Sequence, residues 1–542
     1  MEIWLFFSAL ILLTCILMNK VTYKLGVPAL LVFIALGMFM GVDGFFQVDF
    51  SNYELTEQLC TVALIFIIFY GGFGTNWNAA KKVVKPSLLL STIGVVLTTA
   101  LTGIFCHFIL HIELIESLLI GAVISCTDAA SVFSILRSKK LNLKDGTASI
   151  LELESGSNDP MAYMLTIILI GFMNQSASLN QVPMLLFNQI GYGSILGILI
   201  GLFGSRILNK NNFMVDGLET LFVLGISIIS FSITTIIGGN GYLATYLSGI
   251  IIGNSLIPNK VALVNFFDGL TGLSQIVIFF LLGLLSVPTQ MHTILLQAGL
   301  IFIWLTFIAR PLVVFLLLKP FKSTVSQKLL LSWSGLRGAS SIVFSILVIL
   351  NTSNTTYDIF HISFCICLLS VAFQGSLLSF IAHKLDMINS NENVMKTFND
   401  YQEEENFPLF RILITENHSW INQSINDLPL TDALIVMIRR NNQTIIPNGQ
   451  TVIESGDELI ISGVNYQEEV DLSIHEVYID EEHPWLNKCI HELNLPKKTL
   501  IILIKTSDGI VNTPKGNTCI HLHDTVIFTC ETINQYNELS IC

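Results

Sequence analysis

Apolar residues fill the first 385 positions in runs of about 20, broken by short polar loops; beyond that point they alternate with polar residues instead. A helix needs about 20 apolar residues to cross a bilayer. The pattern therefore predicts thirteen spans, at about 3–19, 27–42, 57–72, 86–108, 114–136, 147–173, 188–207, 217–237, 240–255, 268–287, 293–318, 329–350 and 359–382. The first run is not read as a secretory leader: Glu2 precedes it and Lys20 and Lys24 follow it, the reverse of a leader's basic start.

The loops support the count independently. On one side they carry Lys20, Lys24, Lys81, Lys82, Lys85, Arg137, Lys139, Lys140, Lys144, Arg206, Lys210, Lys260, Lys319, Lys322 and Lys328; on the other they carry no Lys or Arg. Basic loops stay in the cytoplasm. The expected topology has the N-terminus outside and the C-terminal part cytoplasmic, in a bacterial plasma membrane. Only 12% of the 542 residues are charged, about half the globular norm of ~25%. From Asp386 onward 9 Lys and Arg face 24 Asp and Glu, a net of −15; the preceding block has 18 basic and 16 acidic residues, a net of +2. So acidic a tail argues against nucleic-acid binding. The ten cysteines show no metal-ligand spacing and read as buried small hydrophobes. No cofactor is expected.

Ionisable residues inside the spans mark a transport pathway by default, because each costs several kcal/mol unless paired or hydrated. The densest such patch is Leu-Glu-Leu-Glu-Ser-Gly-Ser-Asn-Asp, residues 151–159. A second, Ser125-Cys126-Thr127-Asp128-Ala129-Ala130-Ser131, suits a locally unwound helix whose freed carbonyls can face a cation. Two basic residues also lie within spans. Arg310 precedes Pro311, near enough to the cytoplasmic end to snorkel or pair; Arg337 lies in Ser334-Gly335-Leu336-Arg337-Gly338-Ala339-Ser340-Ser341. An always-charged buried guanidinium needs a carboxylate, and Glu154 is the expected partner of Arg337.

Thr127-Asp128, then Glu154-Ser155-Gly156-x-Asn158-Asp159-Pro160, then Gly335-Leu336-Arg337-Gly338 resemble the signature of monovalent cation:proton antiporters of the NhaP type, over roughly residues 1–385. The resemblance implies an inverted-repeat transporter with a dimerisation domain and a six-helix core, in which two discontinuous helices cross. It implies that Asp159 binds proton or cation in turn, that Ser155 shares the ion, that Thr127 lends a carbonyl, that Asp128 acts directly or through water, that Asn158 steadies the crossing, and that Glu154 and Arg337 form a structural pair. Asn158-Asp159 resembles the electroneutral branch. Tyr70, in Phe69-Tyr70-Gly71-Gly72, stands where related sequences usually carry an acid.

Without the family, the chemistry points the same way. A carboxylate half-buried in a bilayer can trade a proton for a dehydrated cation. One site holding either but never both enforces 1:1 exchange. Oxygen ligands favour Na⁺, K⁺ or Li⁺ over soft metals.

The tail repeats itself. Glu416-Asn417-His418-Ser419-Trp420 returns as Glu481-Glu482-His483-Pro484-Trp485, Pro447 as Pro514 and Asp457 as Asp524. Each copy reads as a helix-like Leu/Ile segment, a β-run (Leu434–Ile438, Leu500–Ile504), a turn and a final strand. The expected organisation is a transmembrane domain over 1–385, a linker over 386–407, and α+β modules over 408–465 and 473–532. The first module resembles the RCK_C (TrkA-C) subdomain of potassium-conductance regulators, the second more loosely; no nucleotide-binding Gly-x-Gly-x-x-Gly accompanies them. Such modules commonly dimerise and bind small ligands, in some Gram-positive relatives cyclic di-AMP. Beside Trp420 and Trp485, His418 and His483 read as ordinary surface residues rather than pH sensors.

The favoured reading is an electroneutral K⁺/H⁺ antiporter, not an enzyme, forming a homodimer in membrane lipid. The alternatives are a Na⁺/H⁺ antiporter whose tail only dimerises, and a ligand-gated cation pathway or sensor.

Overall fold

A computed structural model describes residues 9–18, 28–138, 143–209, 218–255, 260–352 and 355–389, the tail segments 409–414, 420–428, 433–440, 443–445, 447–463, 473–480, 483–493, 500–506, 511–512 and 518–530, and the single positions 6, 141, 257, 418 and 495. The linker from residue 390 on, the loop residues Lys20, Lys24, Lys139, Lys140 and Lys210, and Glu416, Asn417, Ser419, Glu481, Glu482 and Pro514 of the tail repeat lie outside these. The chain divides into two units, Met1–Glu404 and Glu405–Cys542.

The first unit is helical: α1 Ala9–Met18, α2 Ala29–Met40, α3 Tyr53–Gly74, α4 Val84–Ile109, α5 Leu114–Val123, α6 Ala129–Ser138, α7 Thr147–Met173, α8 Leu179–Leu208, α9 Leu218–Ile236, α10 Gly241–Gly253, α11 Lys260–Leu285, α12 Pro288–Leu317, α13 Val325–Trp333, α14 Ala339–Asn351 and α15 Ile359–Lys384. Among the described residues, α3, α4, α8, α9, α11, α12 and α15 are long and apolar enough to cross a membrane. Large side chains such as Phe187, Ile236 and Leu296 point outward, a surface suited to hydrocarbon.

With no hydrophobic drive between helices in lipid, close association relies on small residues. Gly72 of α3 and Gly249 and Gly253 of α10 let those two backbones touch, and a Cβ at any of them would collide with the opposing main chain. Gly197 of α8 meets Ala244 in the same way, and Gly201 packs closely on Ser248 and Ile251.

Two predicted spans are interrupted. The run 114–136 divides into α5 and α6 around residues 124–128, where Ser, Thr and Asp compete for backbone bonds: the Ser125 hydroxyl turns back to Ala122 O at 2.6 Å. The run 329–350, continuous by its hydropathy, divides into α13 and α14 around 334–338, a Ser-Gly-Leu-Arg-Gly stretch. Gly338 is extended (φ −134°), and a Cβ there would strike the Asp128 carboxylate.

The second unit holds two antiparallel sheets built alike. The first is β1 Leu409–Leu413, β2 Ala433–Arg440, β3 Gln443–Ile445 and β4 Glu458–Gly463, in the order β1-β4-β2-β3. The second is β5 Ser473–Tyr478, β6 Leu500–Lys505, β7 Val511–Asn512 and β8 Thr525–Cys530, in the order β5-β8-β6-β7. Both long inner strands carry a bulge at matching places, Ile435–Met437 and Ile501–Leu503. The expected helix-like segment is, in its described part, one 3₁₀ turn per copy, Ile425–Asp427 and Ile490–Glu492. His418 and His483 each accept the N–H of the Trp two residues on, at 3.2 Å; they shape turns.

Six cysteines of the membrane unit are buried and outside any disulfide, as expected, but Cys489 and Cys519 correct the general reading: they form a disulfide. The sequence offered no motif for it, because folding brings together residues 30 apart. In the first sheet the same bridge position holds Ser424 and Val452.

Candidate functional site

The two interruptions lie against each other. The Asp128 N–H donates to Leu336 O at 2.8 Å. The Arg337 guanidinium donates from one nitrogen to Ser125 O and Cys126 O, at 2.7 Å each. These carbonyls sit just past the end of α5, where a helix presents partial negative charge and unsatisfied oxygens. The Arg337 N–H in turn bonds the Ser370 hydroxyl at 3.0 Å, which a π-helical turn of α15 over Ser370–Gly375 presents. Cys126 and Ser341 complete the seam at 3.2 Å.

Helix α7 passes beside this crossing. Ser155, Asn158 and Asp159 fall within one turn and share a face. The Ser155 hydroxyl donates to Thr127 O, and Asn158 Nδ2 to Thr127 Oγ1 at 2.6 Å. Asp159 Oδ2 accepts from the Ser340 hydroxyl at 2.8 Å. Asp128 accepts from the Ser131 N–H at 3.2 Å and its hydroxyl at 2.5 Å. Thr127, Ser155, Asn158 and Asp159 are buried, Asp128 half-buried. Asp159 Oδ1 and Asn158 Oδ1 have no hydrogen-bond partner among the described residues. The structure thus brings together Thr127, Asp128, Ser155, Asn158 and Asp159, five of the seven predicted site residues: two carboxylates, hydroxyls, an amide and a freed carbonyl. An all-oxygen set suits a hard cation, and a carboxylate alone among these groups can instead take up a proton.

The expected Glu154–Arg337 pair is not formed. Glu154 Oε1 lies 2.5 Å from an Arg310 terminal nitrogen, with both side chains buried. Depth decides this. Glu154 lies seven residues into α7 and Arg310 seven from the end of α12, so at 1.5 Å per residue each is about 10 Å from the same lysine-bearing side. Arg337 belongs to the crossing. Gly335 leaves room for Arg310, since a Cβ there would lie 3.0 Å from Arg310 Nε. A π-helical turn, Leu305–Ala309, immediately precedes Arg310.

Sequence reasoning also passed over Ser340, Ser131 and Asp268. The first two lay inside quoted motifs. Asp268 was visible as an acid at the very start of a predicted span. The Tyr70 hydroxyl donates to Asp268 Oδ1 at 3.4 Å. Glu152 is buried on α7 and belongs to no geometry described above.

Comparison with known proteins gives these elements a family. The profile described as "Sodium/hydrogen exchanger, transmembrane" matches residues 9–384, and that described as "TrkA-C domain" matches 409–465 and 474–534. The K(+)/H(+) antiporter NhaP of Alkalimonas amylolytica is 37% identical over 378 residues, covering 69% of this chain and 65% of that protein. The K(+)/H(+) antiporter NhaP2 of Shewanella oneidensis is 32% identical over 448 residues, covering 81% and 78%. The solved sodium proton antiporter MjNhaP1 of Methanocaldococcus jannaschii superposes with a TM-score of 0.64 at 25% identity, over 71% of this chain and 99% of that one. The chain belongs to the sodium/hydrogen exchanger family, transmembrane antiporters, and carries a TrkA-C tail.

Proposed function

We propose that this protein exchanges a monovalent cation, K⁺ in the first place, for a proton, one for one, at Asp159. The observation that carries the reading is the buried, unpartnered Asp159 Oδ1 beside the crossing. A cation there gains Asp159, Ser155, the Thr127 carbonyl and, directly or through water, Asp128. A proton on Asp159 removes the charge that holds the cation, so occupancy is exclusive and no net charge moves. Asn158 steadies the crossing from α7. Arg337 keeps α5, α14 and α15 together, and Arg310 neutralises Glu154. Alternating access then carries the crossing and α7 past the barrier as one body.

K⁺ is favoured because the K(+)/H(+) antiporters of Alkalimonas and Shewanella share 37% and 32% identity, against 27% over half this chain for a probable Na(+)/H(+) antiporter of Methanocaldococcus jannaschii. The Na⁺ reading stands second, supported by the superposition on a sodium proton antiporter. We place thirteen crossings in a bacterial plasma membrane, with inverted repeats, the N-terminus outside and the tail inside, since every loop Lys and Arg falls on one side. The tail, over 408–465 and 473–532 behind a linker at 386–407, is read as two regulatory modules that dimerise and bind a small nucleotide of the cyclic di-AMP kind. The test is exchange in proteoliposomes with an internal pH dye: an acid interior should alkalinise on adding K⁺, less on adding Na⁺. A response to Na⁺ alone assigns the sodium reading, and no response to either ion sinks both.

A further inference from the structure

We infer that Asp268 is a cation-recruiting carboxylate at the mouth of the passage leading to Asp128, with Tyr70 as its positioning residue. This rests on the exchange reading and adds to it a site outside the crossing. Asp268 stands on α11 immediately before Gly269 and one turn before Gly272. A Cβ at either glycine would meet nothing within 4 Å, so α11 shows bare backbone to open space here. Gly269, Gly272, Gln275 and Ser131 are part of the lining of a cavity of about 430 Å³ whose remaining walls, from α1, α2, α6 and α11, are apolar. Ser131 is the residue whose N–H and hydroxyl hold Asp128. Asp268 itself is outside the lining but directly precedes Gly269, and the cavity's α6 wall holds Ser131, the Asp128 carboxylate's own partner.

The carboxylate is exposed although its helix is a membrane span. An unhydrated acid there is costly, and the open space at Gly269 and Gly272 leaves room for water. Tyr70 is buried and stacked on Phe267 at 6.3 Å with the rings 13° apart, so its hydroxyl reaches Asp268 from a fixed ring. A negative charge in a low-dielectric mouth concentrates cations locally.

The full-length protein in proteoliposomes tests this. Asp268→Asn should raise the apparent KM for K⁺ about tenfold and leave the maximal rate within about twofold; Asp268→Glu should restore KM, and Tyr70→Phe should shift it less, in the same direction. An unchanged KM in Asp268→Asn, beside a parent that exchanges, overturns the inference. So does a fall in maximal rate alone, which marks a packing role. A parent that exchanges neither ion removes the exchange reading instead; Asp268 is then judged by calorimetric K⁺ binding, where equal affinity in parent and Asp268→Asn overturns it.

Discussion

Arg310 of α12 and Glu154 of α7 form a buried ion pair at 2.5 Å, while Arg337, two residues past Gly335, spends its donors on the carbonyls of Ser125 and Cys126. The two arginines therefore do different jobs. Removing one member of a buried pair leaves the other charge unpaired, at a cost of about 3–5 kcal/mol. Arg310→Ala should lower the thermal stability of the purified protein sharply, and Arg310→Met with Glu154→Gln should recover most of it. If Glu154 instead coupled to Arg337 in a double-mutant cycle, and not to Arg310, the pairing described here would be wrong.

Asp159→Asn keeps shape and hydrogen-bonding capacity but cannot alternate between charged and neutral forms. Exchange should vanish, with size-exclusion profile and melting temperature near the parent's. Measurable K⁺- or Na⁺-driven proton movement in this variant would remove Asp159 from the mechanism.

Two glycines separate space from necessity. Gly338→Ala places a methyl against the Asp128 carboxylate, whereas Gly71→Ala meets nothing within 4 Å. Overpacking costs about 1–3 kcal/mol. Gly338→Ala should reduce exchange at least tenfold, and Gly71→Ala should remain near parental rates. Equal rates in the two variants would mean that the crossing tolerates widening.

In the tail, Arg440 bonds Asp457 through two nitrogens, at 2.7 Å each. Burial pushes the Asp457 carboxyl up, but the Arg440 bonds, the Glu454 N–H and the Arg440 charge outweigh it and hold it below its ordinary value. With a depressed folded pKa, its stabilisation is full above the unfolded value of about 3.9 and is lost as pH falls through the folded one. Protection of the β2–β4 amides, measured by hydrogen exchange and corrected for intrinsic rates, should hold from pH 7 to 5 and drop only below about 4. Arg440→Ala should weaken it at pH 7 by about 2–3 kcal/mol, and unchanged protection there would rule the pair out as a brace.

Hydropathy revealed the helical runs, and spacing on α7 revealed which of its polar residues share a face. The Leu434–Ile438 and Leu500–Ile504 alternations foretold the inner strands β2 and β6. Three things stayed hidden. The break between α13 and α14 is invisible to a hydropathy window, because Leu336 and Ala339 keep the average apolar; only Gly335 and Gly338 hint at it. The partner of Glu154 was a question of depth, and ranking acids and bases by motif sent it to the wrong arginine. The Cys489–Cys519 bridge depends on strand register, which the offsets of the tail repeat encode but do not display.

Gly156 of α7 has one further consequence. A Cβ there would run into the ring of Tyr246 on α10, and α10 is itself locked against α3 and α8 by backbone contact. With no side chain at 156, the α7 backbone closes directly onto the phenol edge of Tyr246. Asn240, the N-cap of α10, donates to Pro160 O of α7 at 2.7 Å, so the two helices are also tied together one residue beyond Asp159. A methyl group at position 156 would wedge α7 away from α10 and strain that tie.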